Sequence, residues 1–533
     1  MQELNSKIDV LGSKYIENYA SMKKIILELE SYFELSKNEG SKEKIKRTRK
    51  RNKLLAREKI ELLLDKNKPF VELMSLAGLK HENGFGPGGT TSCILGFVSN
   101  KLCLINSNIG TKKGGVVDYA TSLKNLRIGQ IAEENKLTLI NLVESGGANL
   151  PDQDKVFTNY GKMFYDMSRR SKKGIMTISI VFGNATAGGA YVPGMSDFTV
   201  MQKDQAKVFL AGPPLVKMAT GEESSDEELG GAKMHSEISG FSDYLAEDEM
   251  DAIRICRNVV SHLNIVKRSN FELTTFNEPL YDPDGLLGLF SEDLKSQVDI
   301  REVIMRFVDG SQFEEFKPLY GSTMVCGWGN VFGYPVGILG NNGPIYPETA
   351  EKSASFIQLC NQTNTPLVFL HNVTGFLVGK EYERQGIIKK GSQLINTVSN
   401  STVPHISFIL GASYGAGTYA MSGKAYNNRF LFTWPTAKIA VMGPKQFAGV
   451  MSLVRRAKAK RKGEKFDEEL DKQLVEFVEA AAEQESLALS ASSMLTDDGI
   501  IDPRDTRNVL GFCLSVIDNN QVKGADGYGV FRL

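Results

Sequence analysis

The run Thr177-Ile-Ser-Ile-Val-Phe-Gly183, continued by Asn-Ala-Thr-Ala-Gly188-Gly189-Ala-Tyr191, is a strand-length apolar segment that ends in a glycine-rich turn. The chain repeats it: His405-Ile-Ser-Phe-Ile-Leu-Gly411 is followed by Ala-Ser-Tyr-Gly415-Ala416-Gly417-Thr-Tyr419. Each copy is preceded by a further strand and turn. These are Ile140-Asn-Leu-Val-Glu-Ser145-Gly146-Gly147 in the first half and Val368-Phe-Leu-His-Asn-Val-Thr374-Gly375-Phe376 in the second. Gly146 to Gly188 is 42 positions, as is Gly375 to Gly417, and an offset of 229 carries the first pair onto the second. One unit of roughly 230 residues is thus read as used twice, a domain duplication and not a short-period solenoid. Around the turns, apolar runs at 93–98, 102–107, 137–143 and 175–182 alternate with helical stretches at 119–135 and 156–170. The pattern restarts with strands at 324–331, 334–340 and 366–370. An α/β fold of two domains follows, with buried strands covered by helices.

The boundaries follow from composition. Residues 1–65 read as a basic, charged helical segment, 66–270 as the first domain and 285–533 as the second. Between the domains, 263–283 loses periodicity and carries Asn277-Glu-Pro279, which marks a linker. The basic run 42–53 reads as a solvated helix face, with a contact for coenzyme A phosphates as the sharper alternative. The 63 basic and 63 acidic residues cancel, which removes the electrostatic case for nucleic acid or anionic membrane as partner. No apolar run reaches membrane-spanning length, and the N-terminus lacks an apolar signal core. The six cysteines form no C-x-x-C pair. A reduced, cytoplasmic protein without a metal site is expected.

A glycine pair at a strand end has three uses: tight packing, phosphate binding at a helix N-terminus, or aiming N–H groups at a developing oxyanion. The phosphate reading is weak, because Gly84-Phe-Gly-Pro-Gly-Gly89 precedes a strand instead of opening a helix. Gly411-Ala-Ser413-Tyr-Gly415 matches a nucleophile elbow, but no histidine follows His405 to serve as its base. Glu144 and Asp197 rank lower, as turn or packing carboxylates. Two oxyanion-type turns suggest two oxyanions, belonging to two substrates, with a reactive cofactor supplying its own base.

Further motifs give these turns a family context. They include Lys113-Gly114-Gly115, Glu144-Ser-Gly-Gly-Ala-Asn-Leu-Pro151, Thr186-Ala-Gly-Gly-Ala-Tyr-Val-Pro193, Ala211-Gly-Pro-Pro-Leu-Val216, Asn372-Val-Thr-Gly-Phe376 and Trp434-Pro435. From about Arg57 to the C-terminus the chain resembles the carboxyltransferase (beta) subunit of biotin-dependent acyl-CoA carboxylases, nearest the methylcrotonyl-CoA and geranyl-CoA branch. It departs from that branch at Gly417-Thr-Tyr-Ala-Met-Ser-Gly-Lys-Ala-Tyr426 and at Met442-Gly-Pro-Lys-Gln446.

The resemblance implies two tandem domains of the ClpP/crotonase superfamily and transfer of CO2 from carboxybiotin to an acyl-CoA. The substrate it implies is 3-methylcrotonyl-CoA or a related β-branched enoyl-CoA. Alternatives are a propionyl-, acetyl- or long-chain acyl-CoA carboxylase, or a biotin-dependent decarboxylase. It assigns Gly188 and Gly189 to the thioester oxyanion, with Ser145, Gly146, Gly147, Ala148 and Tyr191 on the acyl-CoA side. Ala416 and Gly417 are assigned to the ureido oxygen of biotin, with Thr374, Gly375, Phe376 and Tyr419 around it. The implied partners are a biotin carboxylase and biotin carboxyl carrier (alpha) subunit, and further copies of the chain in a hexamer built as a trimer of dimers. No Met-Lys-Met biotinylation site is present, so biotin is expected on the partner.

Overall fold

A computed structural model describes every residue except 82–83, 266–268, 295–297, 526, 528 and 531–533. The chain divides into two compact units. One comprises Ser31–Arg268 with Ser493–Leu495, the other Met1–Glu30, Ser269–Ser492 and Thr496–Leu533. Residues 1–65 therefore do not stand apart. Strand β1 (Gln2–Glu3) pairs with the sheet of the second unit, and Met22 and Ile26 of helix α1 (Ser13–Ser36) pack on Leu287. The Tyr19 hydroxyl donates to Asp284 at 2.7 Å. Helix α2 (Lys42–Lys50) buries no residue, as expected of a solvated basic face. Helix α3 (Ala56–Leu63) turns Ile60 and Leu63 into the core of the first unit.

In the first unit β2 (Val71–Leu73), β3 (Thr91–Val98) and β4 (Lys101–Asn108) run antiparallel. Helix α4 (Tyr119–Glu134) then leads to β5 (Thr138–Ser145), and α5 (Gln153–Lys172) to β6 (Thr177–Thr186). Beyond β6 come the short helix α6 (Gly188–Gly194), β7 (Phe198–Gln202), β8 (Lys207–Phe209), α7 (Pro213–Thr220), β9 (Tyr244–Ala246) and α8 (Glu249–His262). Strands β4 to β7 are parallel, and β8 pairs with the far end of β6. Alternate residues of β6 serve two cores. Ile178, Ile180 and Phe182 join Ile60, Ile253 and Val260, while Val181 and Ala185 join Ala190 and Val208. A strand buried on both faces needs an unbroken apolar run, which is how this one is written.

The second unit repeats the plan. Strands β10 (Gln312–Glu315), β11 (Met324–Val331) and β12 (Tyr334–Asn341) are antiparallel. Helix α9 (Pro347–Gln362) precedes β13 (Leu367–Val373), and α10 (Ile387–Asn400) precedes β14 (His405–Tyr414). Then follow α11 (Ala416–Ala420), β15 (Phe430–Thr433), β16 (Lys438–Ala440), the pair α12 (Pro444–Lys462) and α13 (Glu468–Ser486), and α14 (Thr506–Ile517). Strand β16 pairs with β14 as β8 does with β6. The described part of the expected linker, from 269 on, is tied into this unit: Asn270 Nδ2 donates to the Asp518 carbonyl at 3.2 Å. Residues 266–268 of that linker lie outside the described residues.

The duplication has a register of 228, one position short of the offset that the glycines suggest. Leu139 pairs with Thr177 as Leu367 pairs with His405, and Ser145 with Ala185 as Val373 with Ser413. The bridge Val117–Ala148 recurs as Ile345–Phe376. In this register Gly147 matches Gly375, Gly188 matches Ala416, and Gly189 matches Gly417. The spacing of 42 counted between glycines is real, but Gly146 and Gly188 are not the counterparts of Gly375 and Gly417. Backbone conformation explains the slip. The positive-φ position of the second turn is Ala187 (φ 50) in one copy and Gly415 (φ 55) in the other, so an alanine stands where glycine is usual.

Candidate active site

Each turn pair is built the same way. Strand β5 ends in a turn where Gly147 adopts φ 92, and Gly375 after β13 adopts φ 121. The Gly147 carbonyl accepts from Val117 N–H at 2.8 Å, and the Gly375 carbonyl from Ile345 N–H at 3.0 Å. The second turn is fixed when Ala187 N–H donates to the Phe209 carbonyl at 3.2 Å, and Gly415 N–H to the Ala440 carbonyl at 3.0 Å. Behind it, Ala190 N–H and Thr418 N–H each close back on the turn at 3.1 Å. Among the described residues, this leaves the N–H groups of Gly188 and Gly189, and of Ala416 and Gly417, donating to no hydrogen bond. The N–H groups of Ala148 and Phe376 are free in the same way. Within each unit the two turns touch: a Cβ on Gly189 would lie 3.5 Å from the Ser145 carbonyl, and one on Gly417 3.1 Å from Gly375 Cα. Unsatisfied amides side by side at a strand end can stabilise an oxyanion, and each unit carries such a set.

The expected site residues divide by what they do here. Ser145 is buried and engaged: its hydroxyl donates to the Gly115 carbonyl at 2.8 Å and accepts from Gly147 N–H at 3.2 Å. Gly146 N–H is spent on the Gly114 carbonyl at 2.9 Å. Thr374 is exposed beside the second unit's turn. The Phe376 ring packs on Gly391 of α10, where a Cβ would meet it at 2.8 Å. Tyr191 and Tyr419 occupy equivalent positions and are equally exposed, at 48%. Tyr191 sits edge-on to Phe164 and Tyr419 stacks on Tyr426.

Under Gly189 lies a cavity of about 50 Å3, lined by Ser145, Tyr160, Asn141 and Arg170 among others, and Tyr191 is not part of its wall. Tyr160, absent from the sequence reading, has its ring 3.7 Å from where a Cβ on Gly188 would stand. It comes from α5, most of whose residues are exposed, so its letter alone carries no signal.

Two carboxylates weighed as acid or base have structural partners. Glu144 pairs with Lys53 at 2.7 Å and lies 3.8 Å from Lys59, which binds Glu249 at 3.0 Å. Asp197 accepts from Thr177 N–H at 2.7 Å and from Ser171 Oγ at 2.8 Å. The elbow serine does meet a histidine, though from the preceding strand: His371 Nδ1 and Ser413 Oγ are 3.0 Å apart. Both are fully buried, and burial pushes His371 down to about 3, so the pair is a packed polar contact without access to substrate. Among the described residues no three His, Cys, Asp or Glu side chains gather as metal ligands, and no helix is long and apolar enough to cross a membrane.

The sequence pattern of the carboxyl transferase domain matches residues 47–526. The chain belongs to the carboxyl transferase family. It is 52% identical over 531 residues to the probable biotin-dependent acyl-coenzyme A carboxylase beta2 subunit of Mycobacterium tuberculosis, covering 99% of this chain and 100% of that one. It is 45% identical over 536 residues to the mitochondrial methylcrotonoyl-CoA carboxylase beta chain of Arabidopsis thaliana, covering 99% and 91%. The crystal structure of the P. aeruginosa geranyl-CoA carboxylase beta subunit superposes with a TM-score of 0.90 at 40% identity, over 100% of both chains. The two sheets and their paired turns are thus the crotonase-like halves of a family carboxyltransferase.

Proposed function

We propose that this chain is the carboxyltransferase subunit of a biotin-dependent carboxylase acting on a β-branched enoyl-CoA of the 3-methylcrotonyl kind. The observation that carries the reading is the doubled set of free amides, one per unit, in a chain whose relatives are named for such carboxylases. The amides of Gly188 and Gly189 hold the thioester oxygen as charge develops on it. A lost oxyanion donor costs about 3–4 kcal/mol of transition-state stabilisation. The Ser145 hydroxyl holds the turn from Ser145 to Ala148 in place, bonded to Gly147 N–H within it and to the Gly115 carbonyl beside it. The amides of Ala416 and Gly417, beside Thr374 and Gly375, fit the ureido oxygen of biotin. Carboxybiotin on a partner protein supplies the carboxyl group and the nitrogen that takes the substrate proton. No protein base is then required, in keeping with the engaged Glu144 and Asp197.

Exposed apolar residues on α7 (Leu215, Met218) and on α12 and α13 (Leu453, Val454, Phe477) support self-association, with a hexamer as the expected assembly. Six cysteines, all buried and in no disulfide, fit a reduced, cytoplasmic place. The test is a panel of 3-methylcrotonyl-, geranyl-, propionyl- and acetyl-CoA with the purified chain and a biotin-loaded partner. Carboxylation of the branched enoyl-CoA thioesters supports the reading, and transfer to none of the panel or its longer analogues refutes it.

A further inference from the structure

Glu144 stands at an irregularity of the strand that carries the first turn. Val143 of β5 pairs with Val181 of β6, but Ser145 pairs with Ala185, so Glu144 alone faces three residues of β6, Phe182 to Asn184. A bulge of this kind releases the strand end from the ladder and leaves its aim to other contacts. The Glu144 side chain fills the gap. A Cβ on Gly183 would lie 2.7 Å from its Cγ, and one on Gly110 2.6 Å from its Cδ. The next residue is Ser145, whose carbonyl lies 3.5 Å from where a Cβ on Gly189 would stand.

Four charged groups meet behind this strand end. Lys53 Nζ is 2.7 Å from Glu144 Oε1, and Lys59 Nζ is 3.8 Å from Oε2. Lys59 also lies 3.0 Å from Glu249, whose other oxygen accepts from Leu54 N–H at 2.6 Å. The Lys59 ammonium rests 4.3 Å from the centre of the Phe182 ring, on the bulged stretch of β6. The side chains of Lys53, Lys59 and Glu249 are 8%, 5% and 6% exposed, so the two cations and two carboxylates balance out of reach of water. Removing one member of such a group leaves a buried charge uncompensated. The second unit has the same bulge: Asn372 alone faces Leu410 to Ala412, between the pairs His371–Ile409 and Val373–Ser413. There the residue is neutral, and a Cβ on Gly411 would meet its Oδ1 at 2.6 Å. The bulge therefore does not itself require a carboxylate; the first unit has one, and two lysines with it.

A fixed anion one residue ahead of a turn that receives developing negative charge opposes that charge unless a cation cancels it. We propose that Lys53 is a positioning residue for the thioester turn: its ammonium holds Glu144 at the bulge and cancels its charge. The Ser145–Ala148 turn and the Gly188–Gly189 amides then meet the enolate without an opposing anion behind them. This rests on the carboxyltransferase reading. Lys53 acts through Glu144 and touches no substrate, so its effect belongs to kcat and not to acyl-CoA binding.

The test uses the full chain with its biotin-bearing partner. Carboxyl transfer to the best thioester of the panel is measured beside amide hydrogen exchange over 145–149, where the N–H groups of Gly146, Gly147 and Asn149 are hydrogen-bonded. Lys53→Met is expected to lower kcat on the order of tenfold, to leave KM for the acyl-CoA within about twofold, and to speed exchange at the turn. Lys53→Arg should keep most of the rate. Lys53→Met combined with Glu144→Gln, neutral as in the second unit, should recover the wild-type kcat to within about threefold, which a merely structural loss would not do. Lys53→Gln, which keeps a donor to Glu144 and drops the charge, takes the place of Lys53→Met if the latter does not fold. An unchanged kcat in the single variant, equal losses in the single and combined variants, or exchange indifferent to Lys53 overturns the proposal. If exchange responds to Lys53 and the wild type carboxylates no thioester of the panel, the tie stands and the carboxyltransferase reading falls.

Discussion

Gly189 and Gly417 hold matching positions, yet a methyl group at each meets different surroundings. At Gly189 the nearest atom is the Ser145 carbonyl at 3.5 Å, an ordinary contact, and the methyl would face the cavity mouth. Gly189→Ala is expected to fold with unchanged stability and to lose at least tenfold in kcat/KM for acyl-CoA, measured by steady-state kinetics beside a melting curve. At Gly417 the methyl would stand 2.9 Å from Val373 Cγ2 and 3.1 Å from Gly375 Cα. Gly417→Ala is expected to cost about 1–3 kcal/mol in denaturant unfolding, as overpacking does. This asymmetry was not legible in the letters. Counting glycines aligned Gly188 with Gly417, because the position that fixes the turn is held by Ala187 in a backbone conformation that no letter announces. Titration belongs to this scale too. Burial lowers His371 and His405 to about 3, so both enter the folded state neutral. Their folded values lie below the unfolded value of 6.5, so their contribution is complete above pH 6.5 and is lost as pH falls toward 3. Asp497, raised to about 6 by burial, opposes this between its ordinary 3.8 and 6. Unfolding free energy is therefore expected to fall as pH drops below about 6.5, with Asp497 offsetting part of the loss. A flat profile there would contradict the assignment.

The elements that the sequence made legible are the parallel strands. A strand with both faces buried is written as an unbroken apolar run, so β5, β6, β13 and β14 could be read directly. The two copies diverge after them. Strands β8 and β16 stand 231 positions apart instead of 228, and α7 and α12 start at the same relative place, Pro213 and Pro444. Helix α7 has 8 residues, whereas α12 has 19 and is backed by α13. That pair was not foreseen, since its apolar residues Leu453, Val454 and Phe477 lie on exposed faces and give no core signal. Leu453→Glu is expected to shift the protein to smaller species in size-exclusion chromatography with light scattering, with the monomer fold intact by circular dichroism. Unchanged mass would separate this face from self-association. The N-terminal segment was read only as charged and helical, and that reading does not say which core receives Met22 and Ile26.

At the scale of the molecule, one architecture repeated in register gives each unit a turn with free amides, which the proposed reading assigns to two different partners. The first copy carries a cavity under its turn, and the second a buried His371–Ser413 pair that reaches Thr418 under its own. The division of labour is tested most directly by separating the half-reactions. Release of CO2 from free carboxybiotin without acyl-CoA, and acyl-CoA affinity without biotin, are measured on Gly189→Ala and Gly417→Ala. The account predicts that Gly189→Ala weakens acyl-CoA binding and leaves CO2 release at the wild-type rate, while Gly417→Ala does the reverse. Loss of both activities in either variant, or of the opposite one, would contradict it.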